Sequence, residues 1–164
     1  MAEQHAWSQD EATGQYVHDV SVWIDAPVER VFRYWAQFEQ FPTVMRHITD
    51  VKQTGPNAWH WQAKIEGQRL EWDADMPEFR ENSLISWRSI SGVENSGTVN
   101  FIPERGGTRL IVHLMFDPPF GILGDAAARL TINDRFHEDL VEDLISFKNA
   151  VESGDIDRRF RPAA

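Results

Sequence analysis

Two aspartates, Asp73 and Asp75, have the spacing of a candidate catalytic carboxylate pair. Side chains two residues apart on a strand point to the same face of a sheet. Such a pair can do general acid–base chemistry when one carboxyl group is held away from water. Here Trp72 and Met76 alternate with the two aspartates and mark the apolar face of the strand. We therefore expect both aspartates to face water, where Asp73 could pair with Arg88 of the next strand.

The histidines form no metal-binding motif along the chain. None lies in a His-x-His or His-x-x-x-His spacing, and no carboxylate stands in sequence where it would complete a metal site. We therefore predict no metal and no cofactor. His60 and His113 are expected on the outer face of the sheet. His137 begins a long helix near the expected cavity mouth, and it is retained as the candidate acid–base residue.

Composition excludes several classes of function. The chain has 164 residues, a net charge of −10 and no cysteine. The acidic balance disfavours nucleic-acid and anionic-membrane partners, and thiol catalysis and disulfides are excluded. The first residues carry neither a basic start nor an apolar core, and no apolar run approaches the roughly 20 residues that span a bilayer. We expect a cytoplasmic protein without integral membrane association, and the oligomeric state stays open.

The elements that must position any site change from helices to strands along the chain. Residues 16–24 predict a first strand, followed by a helix for which Asp25 is the expected cap and Pro27 a first-turn residue. A second short helix is expected to start at or near Pro42. From residue 46 onward the apolar residues alternate in six segments separated by turn signals, among them residues 95–97. This pattern is typical of an antiparallel meander with one apolar face.

One long amphipathic helix is predicted from about Leu130 to Val151. Its apolar residues recur at three- and four-residue steps and form one stripe. The stripe contains Phe136, Leu140, Leu144, Phe147 and Val151. The acidic residues between 138 and 143 are expected mainly on the other side. Residues 121–124 are expected to hinge the chain into this helix, with Ile122 and Leu123 beside the entrance of a pocket.

These elements predict an α+β protein in which about seven antiparallel strands curve around the long helix, in the order β-α-α, six strands, α. Residues 1–15 are expected to be a flexible arm, residues 16–154 one domain and residues 155–164 a frayed tail.

The chain contains seven tryptophans, which either fill the core or line a cavity between the sheet and the long helix. The expected lining side chains come from the strands, the early helices and the long helix. They are Trp35, Phe41, Trp61, Trp72, Met76, Trp87, Phe101, Leu114, Phe116, Phe136 and Leu140. Apolar burial would drive binding there, and the indole N–H groups would orient a polar headgroup.

The sequence resembles the START-like superfamily, also called SRPBCC, which includes polyketide cyclase/dehydrases and coenzyme Q-binding proteins. The resemblance covers roughly residues 17–154. It rests on the opening VSVWIDAPVERVFRYWAQFEQFPTVM, on the middle segments 71–73, 85–89, 95–97, 107–109 and 117–119, and on Asp139-Leu140, Phe147-Lys148 and Glu152 of the last helix. It implies a helix-grip fold. It also implies ligands such as quinones, isoprenoids, lipids or polyketides, although fold alone does not assign a function.

Three functions remain open from the sequence. The first is binding of a hydrophobic small molecule between sheet and helix. The second is a cofactor-independent enzyme of the cyclase/dehydrase, aromatase-like type. No polar cluster is predicted to face inward, so a buried histidine or carboxylate in the cavity would favour this second function. The third is a protein-interaction domain whose rings fill the core, which a closed cavity would favour.

Overall fold

Eight antiparallel strands form one sheet in the order β1-β2-β8-β7-β6-β5-β4-β3. The computed structural model describes the backbone of residues 2–117 and 126–160, and the side chains of residues 7–117 and 132–160. The strands are β1 Ala2–Gln9, β2 Tyr16–Ile24, β3 Ile48–Gly55, β4 Ala58–Ile65, β5 Gln68–Arg80, β6 Leu84–Gly92, β7 Glu94–Glu104 and β8 Gly107–Asp117. The predicted hinge at residues 121–124 lies outside the described residues.

The helices lie before and after the meander. Helix α1 spans Val28–Trp35, a 3₁₀ helix spans Phe38–Thr43, α2 spans Ala126–Ser153 and α3 spans Ile156–Arg159. Helix α2 contacts β1, β2 and β4, and α1 contacts β7 and β8. The sheet curves around α2, which confirms the predicted α+β arrangement of strands and long helix. No helix in the described part of the chain has both the length and the apolar character needed to cross a membrane.

The sheet has one strand more than the sequence predicts. Residues 2–9, expected in a flexible arm, form β1 and pair with β2 in antiparallel register, with Trp7 opposite His18. The Trp7 indole N–H also donates to Asp134 Oδ1 of α2 at 2.8 Å. The residues of β1 are mostly polar because this strand lies at the edge of the sheet. No apolar pattern therefore predicts the strand from the sequence.

The stripe of α2 is confirmed. Leu144, Phe147 and Val151 are at most 1% exposed, and Leu140 is partly buried against the same core. Phe136 is partly buried against a second, smaller cluster that includes Phe116. The rings of Trp35 and Phe147 meet edge to face at 5.2 Å. The helix therefore contributes its apolar stripe to a core that the sheet and α1 complete.

Three local expectations are wrong. Pro27 is the N-cap residue of α1, and no side chain caps that helix. Pro42 lies inside the 3₁₀ helix rather than at its start. Residues 95–97 belong to β7 rather than to a turn, and Gly97 stands opposite Trp87 of β6. A Cβ atom on Gly97 would lie 2.6 Å from the Trp87 ring, so this glycine makes room for an indole.

The C-terminal segment also packs more tightly than a frayed tail would. Ile156 of α3 is fully buried and Phe160 is 5% exposed. The Phe160 ring meets Tyr34 edge to face at 5.7 Å, and the Tyr34 hydroxyl donates to the Asp157 carboxylate. Two apolar anchors therefore hold residues 156–160 against α1.

Candidate functional site

The hollow between the sheet and α2 contains two adjoining lobes. Lobe A has a volume of about 90 Å³ and lies beside β3, β4, β8 and the N-terminal half of α2. Lobe B has a volume of about 120 Å³ and lies among α1, the 3₁₀ helix and β4 to β8. Both lobes are lined by the same five residues, so the two spaces adjoin; these are Ile48, Trp72, Leu114, Leu140 and Asp143. Drug-sized ligands usually occupy about 300–1,000 Å³, so each lobe is the size of a small group rather than of a long chain.

Most of the expected lining residues lie around these lobes. Trp72, Leu114 and Leu140 line both. Lobe B also contains Trp35, Phe41, Trp61, Met76 and Trp87. Lobe A also contains Phe116 and Phe136, whose rings stack with centroids 4.3 Å apart.

Two candidate residues lie elsewhere. Phe101 lines neither lobe and is buried against Phe32, with the ring centroids 5.0 Å apart. His137 also lines neither lobe, because its Nδ1 atom lies 3.0 Å from Nδ1 of His18 on β2. The two imidazoles stack in a buried polar cluster with Asn133, so the structure does not bring His137 to the lobes.

Two indole N–H groups of lobe B differ in their hydrogen bonding. Trp87 Nε1 donates to Asn95 Oδ1 at 2.9 Å, which sets the ring over Gly97. Trp61 Nε1 is buried and has no hydrogen-bond partner among the described side chains and backbone. The Trp61 and Trp72 rings lie parallel, 6.2 Å apart, on adjacent strands. Lobe B is thus walled by indole rings, and a hydrogen bond holds the ring of Trp87 in place.

A carboxylate–imidazole pair lies at the edge of this apolar hollow. Asp143 of α2 lines both lobes, and His47, just before β3, lines lobe A. His47 Nδ1 lies 2.9 Å from Asp143 Oδ1, and the backbone N–H groups of Arg46 and His47 also donate to this carboxylate. On the other side of the ring, Nε2 lies 3.2 Å from Asp139 Oδ1. An ionised carboxylate only accepts hydrogen bonds, so the Asp143 contact places a proton on Nδ1.

Burial raises the pKa of both aspartate side chains, Asp143 and Asp139. Burial raises the pKa of the Asp143 carboxyl above its usual range, although the hydrogen bonds from His47 oppose this effect. Burial likewise raises the pKa of the Asp139 carboxyl against the attraction of His47. A carboxyl group that is easier to protonate than usual, next to an imidazole at a cavity wall, can take up or release a proton.

Sequence reasoning missed this pair, although a signal for it was present. The expectation that Asp143 faces away from the core is wrong. Asp143 stands three residues after Leu140 and four before Phe147, so its spacing places it on the apolar stripe. Asp139 follows Phe136 by three residues in the same way. An acidic residue within a stripe indicates a polar group aimed at the hollow, whereas the position of His47 depends on tertiary structure.

The aspartates of β5 face water as predicted, but their partners differ from the prediction. Arg88 pairs with Asp75, with Nε 2.9 Å from Oδ1, rather than with Asp73. Asp73 instead lies 2.9 Å from His60 Nδ1 and accepts from Ser91 Oγ at 2.7 Å. Register shifts within β5 place Asp75 opposite Arg88, which explains the exchange. These residues form an outer-face network away from both lobes.

Residues 24–145 match the family described as polyketide cyclase / dehydrase and lipid transport. A curated relative, an uncharacterized 17.2 kDa protein of Streptomyces lincolnensis, is 27% identical over 100 residues, which is 60% of this chain and 67% of the relative.

Among solved structures, a Deinococcus radiodurans protein is 27% identical with a TM-score of 0.64, covering 83% of this chain and 96% of its own. The Zhui aromatase/cyclase from Streptomyces sp. R1128 is similar in fold at 17% identity, with a TM-score of 0.69 over 92% of this chain and 98% of its own. A START superfamily protein from Mycobacterium smegmatis shares the fold at 16% identity, with a TM-score of 0.68 over 90% of this chain and 100% of its own.

The family and the fold support hydrophobic ligand binding or cyclase activity in general. The match covers most of the chain, and its strands, helices and central hollow are those of the START-like helix-grip fold. The chain therefore belongs to the polyketide cyclase/dehydrase and lipid transport family.

Proposed function

We propose that the protein binds a small hydrophobic molecule with ring-sized groups in lobes A and B. The observation that carries this function is the lining of lobe B, where aromatic and aliphatic side chains surround the space and Asp143 is the one charged group among the described lining residues. An apolar cavity of about 150 Å³ holds one benzene ring in another protein. Lobe A, of about 90 Å³, and lobe B, of about 120 Å³, adjoin and together exceed that volume. Menadione, a quinone with two fused rings, is a suitable first probe.

A residue shared by the two lobes gives a specific test of this function. Trp72 lines both lobes, whereas its chain neighbour Asp73 points to the opposite face of the sheet and binds His60. We expect Trp72→Ala and Trp87→Ala to weaken menadione binding in calorimetry at least tenfold, because apolar contacts supply the affinity. Asp73→Ala should leave the affinity within about twofold.

Native mass spectrometry of freshly purified protein provides the second measurement. A co-purifying quinone, isoprenoid, lipid or aromatic polyketide would support binding and supply the natural ligand for the same variants. The function would be refuted if the protein is isolated empty and binds neither menadione nor lauric acid. That result would favour a protein-interaction domain with a filled core.

The Asp143–His47 pair favours a second candidate function, a cyclase/dehydrase-type enzyme. Its two side chains line the hollow, and hydrogen bonds to the backbone hold the carboxylate in place. The carboxylate–imidazole pair would act as a general base and remove a proton from the carbon next to a ketone. The protonated pair would then act as a general acid and donate a proton to the departing hydroxyl group, which leaves as water. Asp143→Asn keeps the size of the side chain and removes its charge.

A poly-β-ketone thioester analogue tests this second function. Incubation with the wild-type protein should give a product that has lost one water, as detected by mass spectrometry. Asp143→Asn should slow this conversion about 100-fold while keeping menadione binding, because proton transfer commonly contributes about 10²–10⁴ in rate. A wild-type rate equal to that in buffer would exclude the enzyme and leave ligand binding intact.

A further inference from the structure

We propose that His47, Asp139 and Glu142 form a binding site for a divalent transition metal ion at the rim of lobe A. One nitrogen of the imidazole and one oxygen of each carboxylate all lie within 4.8 Å of one another. Nitrogen and carboxylate oxygen ligands in this number are typical of zinc and related ions. The sequence predicts that no carboxylate completes a metal site; this group forms only when α2 packs beside the start of β3, which no local spacing reveals.

The separation of two of the atoms agrees with shared coordination. His47 Nε2 and Asp139 Oδ1 are 3.2 Å apart. Two ligands bound at about 2.0–2.1 Å to one tetrahedral ion stand about 3.3 Å from each other. The ion would enter without a large displacement of the two side chains. A direct hydrogen bond between these two atoms would have the same length. The groups around the imidazole therefore provide the further evidence that distinguishes a metal ion from a shared proton.

Asp143 orients the imidazole for metal binding. It holds His47 Nδ1 at 2.9 Å and is itself fixed by the backbone N–H groups of Arg46 and His47. With the proton on Nδ1, the lone pair of Nε2 points toward Asp139. Metal-binding histidines are usually oriented in this way by a carboxylate outside the coordination sphere.

The charges of the site also favour a cation. Asp139, Glu142 and Asp143 stand within about one turn of α2, so their carboxylates repel one another. Arg46 pairs with Glu142 at 2.5 Å, but its side chain is 76% exposed. Exposed ion pairs contribute little to stability, so Glu142 can exchange this partner for a metal ion at little cost.

A matched cluster on the outer face provides the control. His60 also lies between an aspartate and a glutamate, with Asp73 at 2.9 Å and Glu71 at 3.3 Å. Those two carboxylates contact different ring nitrogens, and Arg69 and Ser91 bind them from outside. This outer cluster has the same residue types as the proposed site. Its ligand atoms do not converge on one point, so we expect it to bind no metal tightly.

The location of the site connects it to lobe A, which His47 and Asp139 line. An ion held by three protein ligands keeps a position for water or for an oxygen atom of a bound molecule. A ketone or carboxylate group of a ligand in lobe A could take that position.

Cobalt(II) is the probe of choice because tetrahedral coordination gives strong visible absorption. Chelator-treated protein should bind one Co²⁺ per chain in calorimetry and develop that absorption, and Zn²⁺ should displace it. We expect Glu142→Gln, an exposed change, to weaken binding at least tenfold, and His47→Gln to abolish the absorption. Asp143→Asn should weaken binding about 10–100-fold through loss of the orienting carboxylate.

The double variant His60→Gln, Asp73→Asn should leave Co²⁺ binding unchanged, and circular dichroism should establish that each variant is folded. The proposal is overturned if wild-type protein fails to bind Co²⁺ and Zn²⁺. It is also overturned if folded Glu142→Gln and His47→Gln proteins bind as tightly as wild type.

Discussion

Protonation of His18 should make the protein lose stability as the pH falls from 7 to 5. His18 is fully buried, with Nε2 3.2 Å from Asn133 Oδ1, Nδ1 3.0 Å from His137 Nδ1 and the Phe136 ring at 4.8 Å. Burial lowers the pKa of His18 from 6.5 to about 4. The hydrogen bond to Asn133 and the charge of Asp19 oppose that fall, and His137 adds to it.

The sign of the effect follows from proton binding. Below pH 6.5 the unfolded chain protonates His18 while the folded protein does not, so acid favours the unfolded state. The contribution of His18 to stability is therefore complete above pH 6.5 and is lost as the pH falls through the folded pKa. One pKa unit corresponds to about 1.4 kcal/mol, so the fall from 6.5 to about 4 corresponds to about 3 kcal/mol, of which about 2 kcal/mol is lost by pH 5.

The assay is urea unfolding of wild type and His18→Gln at pH 7 and pH 5, followed by tryptophan fluorescence and circular dichroism. Glutamine can still hydrogen bond to Asn133 but carries no titrating group. We expect the difference in unfolding free energy between the two proteins to shrink by about 2 kcal/mol from pH 7 to pH 5. This change with pH, rather than the absolute cost of the substitution, measures the protonation of His18.

His60 gives a control of opposite sign. Hydrogen bonds that His60 donates to Asp73 and then to Glu71 raise the pKa of His60, so its contribution is present below pH 6.5 and is lost as the pH rises through the folded pKa. The difference between wild type and His60→Gln should therefore grow on acidification. A difference between wild type and His18→Gln that stays constant to within about 0.5 kcal/mol would refute the assignment of a neutral, buried His18.

Two further predictions concern packing. Gly97→Ala should destabilise the protein by at least about 2 kcal/mol, because the new Cβ would lie 2.3 Å from a backbone oxygen and 2.6 Å from the Trp87 ring. Gly55→Ala, whose Cβ would meet its nearest atom at 3.6 Å, should change stability by less than about 1 kcal/mol in the same thermal melts. Ile156→Ala should cost about 2–5 kcal/mol in urea unfolding because the side chain is fully buried, whereas Arg158→Ala should cost less than about 1 kcal/mol. Equal effects of the two changes in either pair would contradict the packing described.

The core positions of the long helix and the seven later strands could be predicted because they depend on local periodicity. Apolar residues at steps of two or three to four identify which side of each element is buried. Trp61, Trp72 and Leu140 were assigned to the hollow on this basis, and they line its lobes. The same reasoning failed for β1, because a polar edge strand has no apolar face to reveal it.

The polar residues of the site needed more than periodicity. His47 and Asp143 are 96 residues apart in sequence, and no local pattern relates them. Their contact depends on how α2 lies against the start of β3. Bulges in β5 likewise determine that Arg88 binds Asp75 and not Asp73. Such pairings follow from strand register and helix placement, which composition and spacing leave open.

The sequence by itself determined the type of fold, the apolar face of the sheet and the stripe of α2. The reason is that the apolar residues of those elements are buried according to their place in a local repeat. Only the tertiary structure decided that, among the described residues, the rings leave two small adjoining lobes. It also decided that a histidine, the buried Asp143 and the partly buried Asp139 meet at the rim of that hollow. The physical reason is that volumes and polar contacts between distant segments depend on how whole elements pack, to within an ångström or two.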